Sequence, residues 1–383
     1  MAHTSSCRLS ISTMSLGYAM AGHTLEHRLR SAQKFGYEGI ELFYDDLEHL
    51  AGCLPEDPQA PPPSPIAWTP SSHPPSNDQR LRAASLIREM CDTFGLTVLC
   101  LQPFRHFEGL LDRTLHKSRL TELELWCRLA GLLRTDLILI PSNFLPADQV
   151  TSDLDAIAQD LREAADLAAS ANPPVRICYE ALAWGTAVSK WQESYDVVKR
   201  VDRINFGLCL DTFNMAARDY AEPALSSGGD SRASLSMDQS LRALVMTVDA
   251  SRIFLVQAAD GALNQIAMHD GHLHSEPALP QYLSWSRNHR LFCAETEQGA
   301  SLPAMKILKA IFVDLGYRGW LSHELFNKQL SEADPHIPDQ MAQRGARSWR
   351  RIVWNLRLPA GKIMKAQQGL SLPTVLSNDP LPS

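Results

Sequence analysis

The stretch FGYEGIEL (residues 35–42) returns near the other end of the chain as LGYRGWLSHEL (residues 315–325). In both copies a glycine stops a helical pattern, at Gly36 and at Gly316, and a second glycine leads into a short apolar run. A turn of this kind joins a helix to the strand that follows it. The internal repeat is weak, but it is the one that stacked strand and helix units produce.

The rest of the chain alternates short apolar segments with stretches of helical spacing. Eight segments are apolar, rich in branched residues and too short for helices, as buried strands are. They cover residues 8–14, 39–43, 96–101, 136–141, 175–180, 204–211, 252–257 and 319–324. After the first segment, Leu25, Leu29 and Ala32 fall on one helical face. Thr24 is the expected N-cap of that helix and Gly36 its stop.

Eight buried strands that alternate with helices predict an α/β fold, the (β/α)8 TIM barrel. Right-handed crossovers place each helix outside and leave the strands covered on both faces. An open doubly wound sheet is the structural alternative, but the G-x-G-x-x-G phosphate turn that such sheets often carry is missing. We expect one barrel domain over residues 1–360 and a flexible C-terminal tail at residues 361–383.

Three segments interrupt this alternation. A proline-rich insertion at about residues 53–79 contains PEDPQAPPPSPIAWTPSSHPPS, which can be neither a helix nor a central strand. Residues 226–236 and residues 264–280 are predicted as further insertions. We expect the proline-rich segment to be an extended excursion after the second strand.

The composition excludes several classes of protein. The 383 residues carry 36 basic and 43 acidic side chains, a net charge of -7, and no block of like charge that could track a phosphate backbone. The sequence contains no run of about 18 apolar residues, which is the length that a membrane-spanning helix needs. Eight cysteines occur without a C-x-x-C pair, several of them inside apolar runs, which indicates reduced, buried thiols. We therefore expect a cytoplasmic protein without nucleic-acid or membrane partners.

Polar residues that close apolar strands are informative, because the site of a parallel barrel lies at the carboxyl ends of its strands. Four such residues close predicted strands five to eight: Glu180, Asp211, Gln257 and Glu324. Carboxylates that converge at the barrel mouth repel one another and lose hydration, and a divalent cation resolves that conflict. Oxygen ligands favour magnesium or manganese, and cobalt or zinc could occupy the same cage. The alternative is that each carboxylate caps the next helix or pairs with a basic neighbour.

Histidines offer further candidates for chemistry. His23, His106 and His323 lie at or beside predicted strand ends, and each could be a satisfied local histidine or a proton carrier. Three more form a cluster in the third insertion: His269, His272 and His274. No strand pattern flanks that cluster, which argues against a functional metal site there.

Eight segments between residues 14 and 327 carry a resemblance to a known family. In order they are MSLGYAMAG (14–22), FGYEGIELFYDDLE (35–48), LQPFRHFEG (101–109), CYEALAWG (178–185), CLDTFN (209–214), VQAADG (256–261), WSRNHR (285–290) and SHELFN (322–327). With them the whole chain resembles the fungal and bacterial 3-dehydroshikimate dehydratases. These enzymes belong to the xylose-isomerase-like barrels, so the resemblance implies the same fold as the strand pattern. The three insertions are unmatched.

The resemblance also implies roles for individual residues. It assigns the metal to Glu180, Asp211, Gln257 and Glu324, and the substrate to Arg105, Ser286 and Arg290. Arginines suit an anionic substrate, because their charge-assisted donors form a fork that matches a carboxylate. Either arginine could instead be a solvated surface residue.

Two departures from the family leave the proton carrier open. Some relatives have a histidine two residues beyond the strand-five glutamate, where this chain has Leu182, and some have one three residues beyond the strand-six aspartate, where this chain has Asn214. Asn214 can hydrogen-bond a substrate hydroxyl, but it cannot act as a base at neutral pH.

The implied reaction converts 3-dehydroshikimate to protocatechuate and water in quinate and shikimate breakdown, the work of a hydro-lyase. A metal ion on the substrate ketone and its adjacent hydroxyl would acidify the proton between them, after which the neighbouring hydroxyl leaves. The predicted base is a metal-ligating carboxylate, Glu180 or Glu324, or a metal-bound hydroxide, and His23 and His106 are weaker candidates.

Other functions remain as alternatives. A sugar or inositol isomerase, epimerase or dehydratase could use the same barrel and metal. An abasic-site nuclease would need a histidine-rich multi-zinc cage and a basic face, which this sequence lacks. A catalytically silent ligand sensor would have no reason to retain the full set of metal ligands.

Overall fold

Eight parallel strands close into a barrel in the computed structural model of the chain, which describes residues 7–57, 73–227, 230–265 and 281–359. The strands are β1 (Arg8–Ser12), β2 (Gly39–Phe43), β3 (Thr97–Gln102), β4 (Leu137–Pro141), β5 (Arg176–Glu180), β6 (Phe206–Asp211), β7 (Ile253–Ala258) and β8 (Trp320–His323). Each strand pairs with its neighbours in sequence, and β8 closes on β1. The predicted (β/α)8 barrel is confirmed, and the open sheet is excluded.

Helices cover the outside of the barrel. They are α1 (Leu25–Lys34), α2 (Tyr44–Cys53), α3 (Asn77–Thr93), α4 (Arg113–Leu133), α5 (Leu154–Ser170), α6 (Trp191–Val201), α7 (Thr212–Ala216), α8 (Glu222–Ser227), α9 (Asp230–Thr247), α10 (Gln281–His289), α11 (Ala304–Lys309) and α12 (Ile337–Leu356). Single π-helical turns at Ala217–Ala221 and Ala310–Asp314 extend α7 and α11. Within the four described ranges, none of these helices is both long and apolar enough for a membrane span.

The repeated turn has the same cause in both copies. Gly36 and Gly316 have φ angles of 86° and 78°, a left-handed conformation that glycine adopts without a steric cost. Each therefore ends a helix and turns the chain back toward the barrel. At the other end of α1, the Thr24 hydroxyl oxygen accepts a hydrogen bond from the His27 amide at 3.3 Å, as an N-cap does.

Strand ends differ from the prediction where apolar residues lie outside the sheet. Strand β1 ends at Ser12, and Thr13–Leu16 form a 3-10 turn. Strand β6 begins at Phe206, and Ile204 lies in the preceding turn with 90% of its surface exposed. A branched apolar side chain is typical of strands, but α6 ends at Val201 and the chain must turn before it can enter the barrel.

The insertions are only partly described. Of the proline-rich segment, Cys53 ends α2 and Asn77 begins α3, while residues 58–72 lie outside the described part of the chain. Within the predicted insertion at residues 226–236, residues 230–236 form the first turns of α9. Residues 266–280, with the three clustered histidines, and the predicted tail from residue 360 onward also lie outside the described ranges.

Strand alternation places two layers inside the barrel. Cys100, Cys178, Cys209 and Leu255 each stand two residues before a polar strand-end residue, so they share its inward face. These four belong to one buried apolar cluster. All eight cysteines are buried and free, as predicted. The apolar layer forms the floor on which the polar strand ends rest.

Candidate active site

Three predicted metal ligands meet at the carboxyl end of the barrel. Glu180 ends β5, Asp211 ends β6, and Glu324 directly follows β8. Each offers a carboxylate oxygen, and the three oxygens lie within 4.8 Å of one another. All three residues are buried, with at most 4% of their surface exposed. Parallel strands of a closed barrel bring their ends to one mouth, which explains why residues so distant in sequence converge.

Gln257, the fourth predicted ligand, joins this group through its side-chain amide. In the register of β6 and β7 it stands beside Asp211. Its Nε2 donates to Glu324 Oε1 at 3.1 Å and to Glu41 Oε2 at 2.9 Å, and its Oε1 accepts from the Cys209 thiol at 3.4 Å. Gln257 is therefore held beside the three carboxylates by contacts on both ends of its amide.

Glu41 is a fourth buried carboxylate that the sequence analysis missed. It lies within β2, and its Oε2 accepts from both Gln102 and Gln257, at 3.1 and 2.9 Å. Among the residues that the structure describes, its Oε1 has no hydrogen-bond partner. Burial, and then the charge of Glu324, raise the pKa of Glu41 to about 8. Inward-facing alternation along β2 was the available signal, but Glu41 stands inside an apolar run and not at its end.

A buried arginine supplies positive charge to the carboxylates. Arg290 Nη1 lies 2.6 Å from Asp211 Oδ2 and 3.0 Å from Glu324 Oε2, and Arg290 Nε donates to Ser286 Oγ at 2.9 Å. The guanidinium also packs against the rings of Phe213 and Phe326. The predicted substrate ligands Ser286 and Arg290 thus contact each other, Arg290 also contacts the acidic cluster, and both residues border the cleft above it.

The charges do not balance within this group. The guanidinium of Arg290 attracts the carboxylates of Asp211, Glu324 and Glu180, and Glu41 adds a fourth buried carboxylate, which the charge of Glu324 repels. Burial is the main cause that raises the pKa of Glu180, and repulsion from Glu324 and Asp211 adds to it. Burial likewise raises the pKa of Glu324 to about 7, although Arg290 opposes that rise. The group must take up either protons or a cation, and its oxygen donors suit a hard divalent ion.

Asp211 uses one carboxylate oxygen to cap a helix and the other to contact Arg290. Asp211 Oδ1 accepts from the amides of Phe213 and Asn214 and caps α7, whereas Oδ2 faces Arg290. The alternative role as a helix cap is therefore compatible with a place in the cluster. Asn214 in turn donates from Nδ2 to Glu180 Oε1 at 2.8 Å, and its Oδ1 accepts from the Ala183 amide. Asn214 orients Glu180 in this structure.

A cleft of about 940 Å³ opens above the cluster. Glu180, Glu324 and Arg290 line it, and Arg105 and Arg287 border it as well. Arg287, next to the predicted Ser286, was not among the predicted site residues. Burial, and then the neighbouring charge of Arg105, lower the pKa of Arg287. The three guanidiniums at the cleft, those of Arg105, Arg287 and Arg290, suit an anionic ligand.

The candidate histidines separate by location. His106 lines the cleft, whereas His23 is buried and its Nε2 contacts the Glu332 carbonyl at 2.8 Å. His323 lies in the core against the rings of Tyr37 and Phe292, and burial lowers its pKa to about 4. His323 is therefore a neutral core residue.

Known proteins are similar to this chain in sequence and in fold. A family model described as xylose isomerase-like TIM barrel matches residues 29–352. The 3-dehydroshikimate dehydratase of Neurospora crassa is 46% identical over 352 residues, which are 92% of this chain and 95% of that protein. The 3-dehydroshikimate dehydratase of Pseudomonas aeruginosa is 32% identical over 83% of this chain and 38% of its own length. A solved xylose isomerase-like TIM barrel/4-hydroxyphenylpyruvate dioxygenase fusion protein matches with a TM-score of 0.64 and 27% identity, over 92% of this chain and 43% of the fusion.

Proposed function

The chain belongs to the xylose isomerase-like TIM barrel family, and on that basis we propose that it is a 3-dehydroshikimate dehydratase, a hydro-lyase that forms protocatechuate and water. The observation that carries the proposal is the 46% identity to the Neurospora crassa dehydratase over nearly the full length of both chains. The buried acidic group beneath an arginine-lined cleft supports it, because the substrate is a carboxylate that must lose a carbon-bound proton. The same proposal places the reaction in quinate breakdown in the cytoplasm.

The proposed cofactor is a divalent metal ion held by Glu180, Asp211, Gln257 and Glu324. Magnesium, manganese and cobalt suit these oxygen donors best, and zinc could replace them. The excess of buried carboxylates over Arg290 supports a cation at this place. When bound, such an ion would act as a Lewis acid that stabilises negative charge on the substrate ketone oxygen.

The proposed substrate contacts follow from the cleft. Arg105 is partly exposed there, with 36% of its side-chain surface accessible, so its guanidinium is available to the substrate carboxylate. Arg290 and Ser286 lie at the floor of the cleft, where they can take a hydroxyl or the carboxylate. Asn214 keeps its predicted role near a substrate hydroxyl, next to the Glu180 carboxylate that it orients.

Glu180 and Glu324 are the proposed carboxylate bases. Both line the cleft, whereas Asp211 and Gln257 lie beneath it, so only the first pair can reach a bound substrate directly. Asn214 holds Glu180 through Oε1. A carboxylate oxygen at the cleft would accept the carbon-bound proton next to the ketone, and the neighbouring hydroxyl would then leave. Transfer of one ring methylene proton to the ketone oxygen would complete the aromatic ring.

The experiment that tests the function follows protocatechuate directly. The purified chain, incubated with 3-dehydroshikimate, is expected to give the rising ultraviolet absorbance of an aromatic acid. Glu324→Gln should reduce turnover by orders of magnitude, since it removes both a proposed ligand and a proposed base. Surface variant Glu297→Gln, which breaks only an exposed ion pair with Arg351, serves as control and should retain full turnover. Binding without the absorbance rise would favour a sensor, and turnover of neutral polyols alone would favour an isomerase.

A further inference from the structure

His106 occupies an unusual backbone position at the cleft. Its φ angle is 54°, in the left-handed region that a residue with a side chain seldom adopts. Such a conformation persists where surrounding contacts enforce it, and these positions cluster at functional sites. The ring of His106 packs against that of Phe144 with centroids 4.4 Å apart, and both residues line the cleft.

The neighbours of His106 determine which ring nitrogen carries its proton. Asn143 Nδ2 donates to the Glu108 carbonyl at 2.9 Å, and Asn143 Oδ1 accepts from the Leu145 amide at 3.0 Å. Both partners are backbone groups, whose donor and acceptor roles are fixed, so the orientation of the Asn143 amide is fixed too. His106 Nδ1 lies 3.3 Å from Asn143 Oδ1, an acceptor, and must therefore be the protonated nitrogen. In the neutral ring Nε2 then carries a lone pair.

Asn143 is itself held by a buried acid. Glu108 Oε1 accepts from the Asn143 backbone amide at 2.6 Å and from the Tyr179 hydroxyl at 3.0 Å, and only 2% of Glu108 is exposed. The acid thus contacts Asn143 through its carboxylate as well as through its own carbonyl. Glu108 is a positioning residue that keeps Asn143, and through it the His106 ring, in one orientation.

The surroundings of the ring favour its neutral form. Burial is the main cause that lowers the pKa of His106, and the charges of Arg105 on its own segment and Arg119 on α4 act in the same direction. The contact with Asn143 on the neighbouring loop opposes them. Nδ1 is used by Asn143, so Nε2 is the ring nitrogen left for the cleft.

We propose that His106 is a catalytic residue that contacts the substrate through Nε2 and carries the proton of the dehydration, an inference that rests on the proposed function. The carbon–hydrogen bond next to the ketone breaks, its electron pair forms the enediolate, and its proton passes to Nε2, directly or by way of a cleft carboxylate. The imidazolium then returns that proton to the departing hydroxyl as the carbon–oxygen bond breaks. Water leaves and the imidazole is neutral again, and a shift of one ring methylene proton to the ketone oxygen completes the aromatic product. At two positions where some relatives have a histidine, this chain has Leu182 and Asn214, and neither side chain can carry a proton at neutral pH.

The backbone of this position provides a clean test by substitution. His106→Gly removes the ring while glycine accepts the φ angle of 54° without strain. A proton carrier typically contributes about 10²- to 10⁴-fold to a rate, so kcat should fall by that factor. Imidazole added to the His106→Gly protein should restore part of the turnover, which loss of a merely structural contact would not allow. His49→Gln alters another histidine of the same cleft and is the matched control, with kcat expected within about threefold of the unaltered protein.

A second measurement reports on the ring without turnover. Nitrogen NMR of histidine-labelled protein, assigned with His106→Gly, should show neutral His106 with its proton on Nδ1. A proton on Nε2, or unreduced kcat in His106→Gly, would overturn the inference, as would an equal loss in His49→Gln. If the unaltered protein itself fails to convert 3-dehydroshikimate, the proposed function fails and the His106 step fails with it. Normal turnover in both the unaltered and the His106→Gly protein removes the His106 step alone.

Discussion

Replacing Arg290 by methionine tests whether the acidic group depends on an internal cation. Arg290 and Asp211 are almost completely buried and 2.6 Å apart, and the same guanidinium nitrogen reaches Glu324 at 3.0 Å. Removing one partner of a buried ion pair leaves uncompensated charge and costs about 3–5 kcal/mol. Methionine keeps the packing against Phe213 and Phe326 but supplies no charge. We therefore expect Arg290→Met to lose about 3–5 kcal/mol of unfolding free energy in metal-free buffer.

The assay is urea unfolding followed by circular dichroism, with and without a divalent ion. An ion at 100 times its dissociation constant adds about 2.7 kcal/mol to the folded state, so metal should recover part of the loss in Arg290→Met. Arg176→Met is the matched control, because Arg176 forms an exposed ion pair with Asp136 at 2.8 Å. That pair should contribute at most about 1 kcal/mol. A loss in Arg290→Met no larger than in the control would refute the charge argument.

Three further predictions concern the same site. Glu41→Gln keeps an acceptor for Gln102 and Gln257 but removes a buried charge. In metal-free protein at pH 8.5 or above, this substitution should raise the unfolding free energy by about 1–3 kcal/mol, measured by urea unfolding. A loss of stability would contradict this prediction. In the folded state the pKa values of Glu41 and Glu324 are raised, to about 8 and about 7. The stability that these two groups contribute is therefore fully present below about pH 4.5, their unfolded value, and is lost as the pH rises through 7 to 8. Metal-free protein should show this loss in thermal scans at pH 5 to 9, and Glu41→Gln should show less of it. Arg105→Met should raise KM for 3-dehydroshikimate about 10- to 100-fold with kcat nearly unchanged. The reason is that the substitution removes a charge-assisted contact made in both the ground state and the transition state. An unchanged KM in steady-state kinetics would remove Arg105 from the substrate site.

The barrel could be predicted because burial on both faces leaves a strong pattern in the sequence. Strands such as β4 and β6 are covered by helices outside and by the inner core, so they read as short apolar runs. The repeated glycine turn leads into β2 and β8, the two strands that pair with β1. The errors arose where an apolar residue has no partner strand, as at Ile204, which is exposed in a turn.

The acidic strand ends could be predicted by the same reasoning, but their partners could not. Glu180 and Asp211 close apolar runs, so their position at the barrel mouth follows from the strand pattern. Glu41 contacts the cluster through Gln257, but it lies inside its apolar run, so only the inward-facing alternation along β2 indicates it.

Long-range contacts set the remaining features of the site. Arg290 reaches Asp211, 79 positions earlier in the chain, through a segment whose path the sequence does not reveal. The tautomer of His106 likewise depends on Asn143, which lies in the loop after β4. Local periodicity carries no information about such pairs, because they are fixed by how the loops pack over the barrel mouth.

Turnover of 3-dehydroshikimate before and after removal of divalent ions tests the central claim most directly. The protein is treated with a chelator, freed of it, and then titrated with magnesium, manganese, cobalt or zinc while protocatechuate absorbance is recorded. We expect turnover to be lost on chelation and restored by at least one of these ions, with no restoration in Glu324→Gln. Full turnover by protein shown to be free of metal would contradict the account.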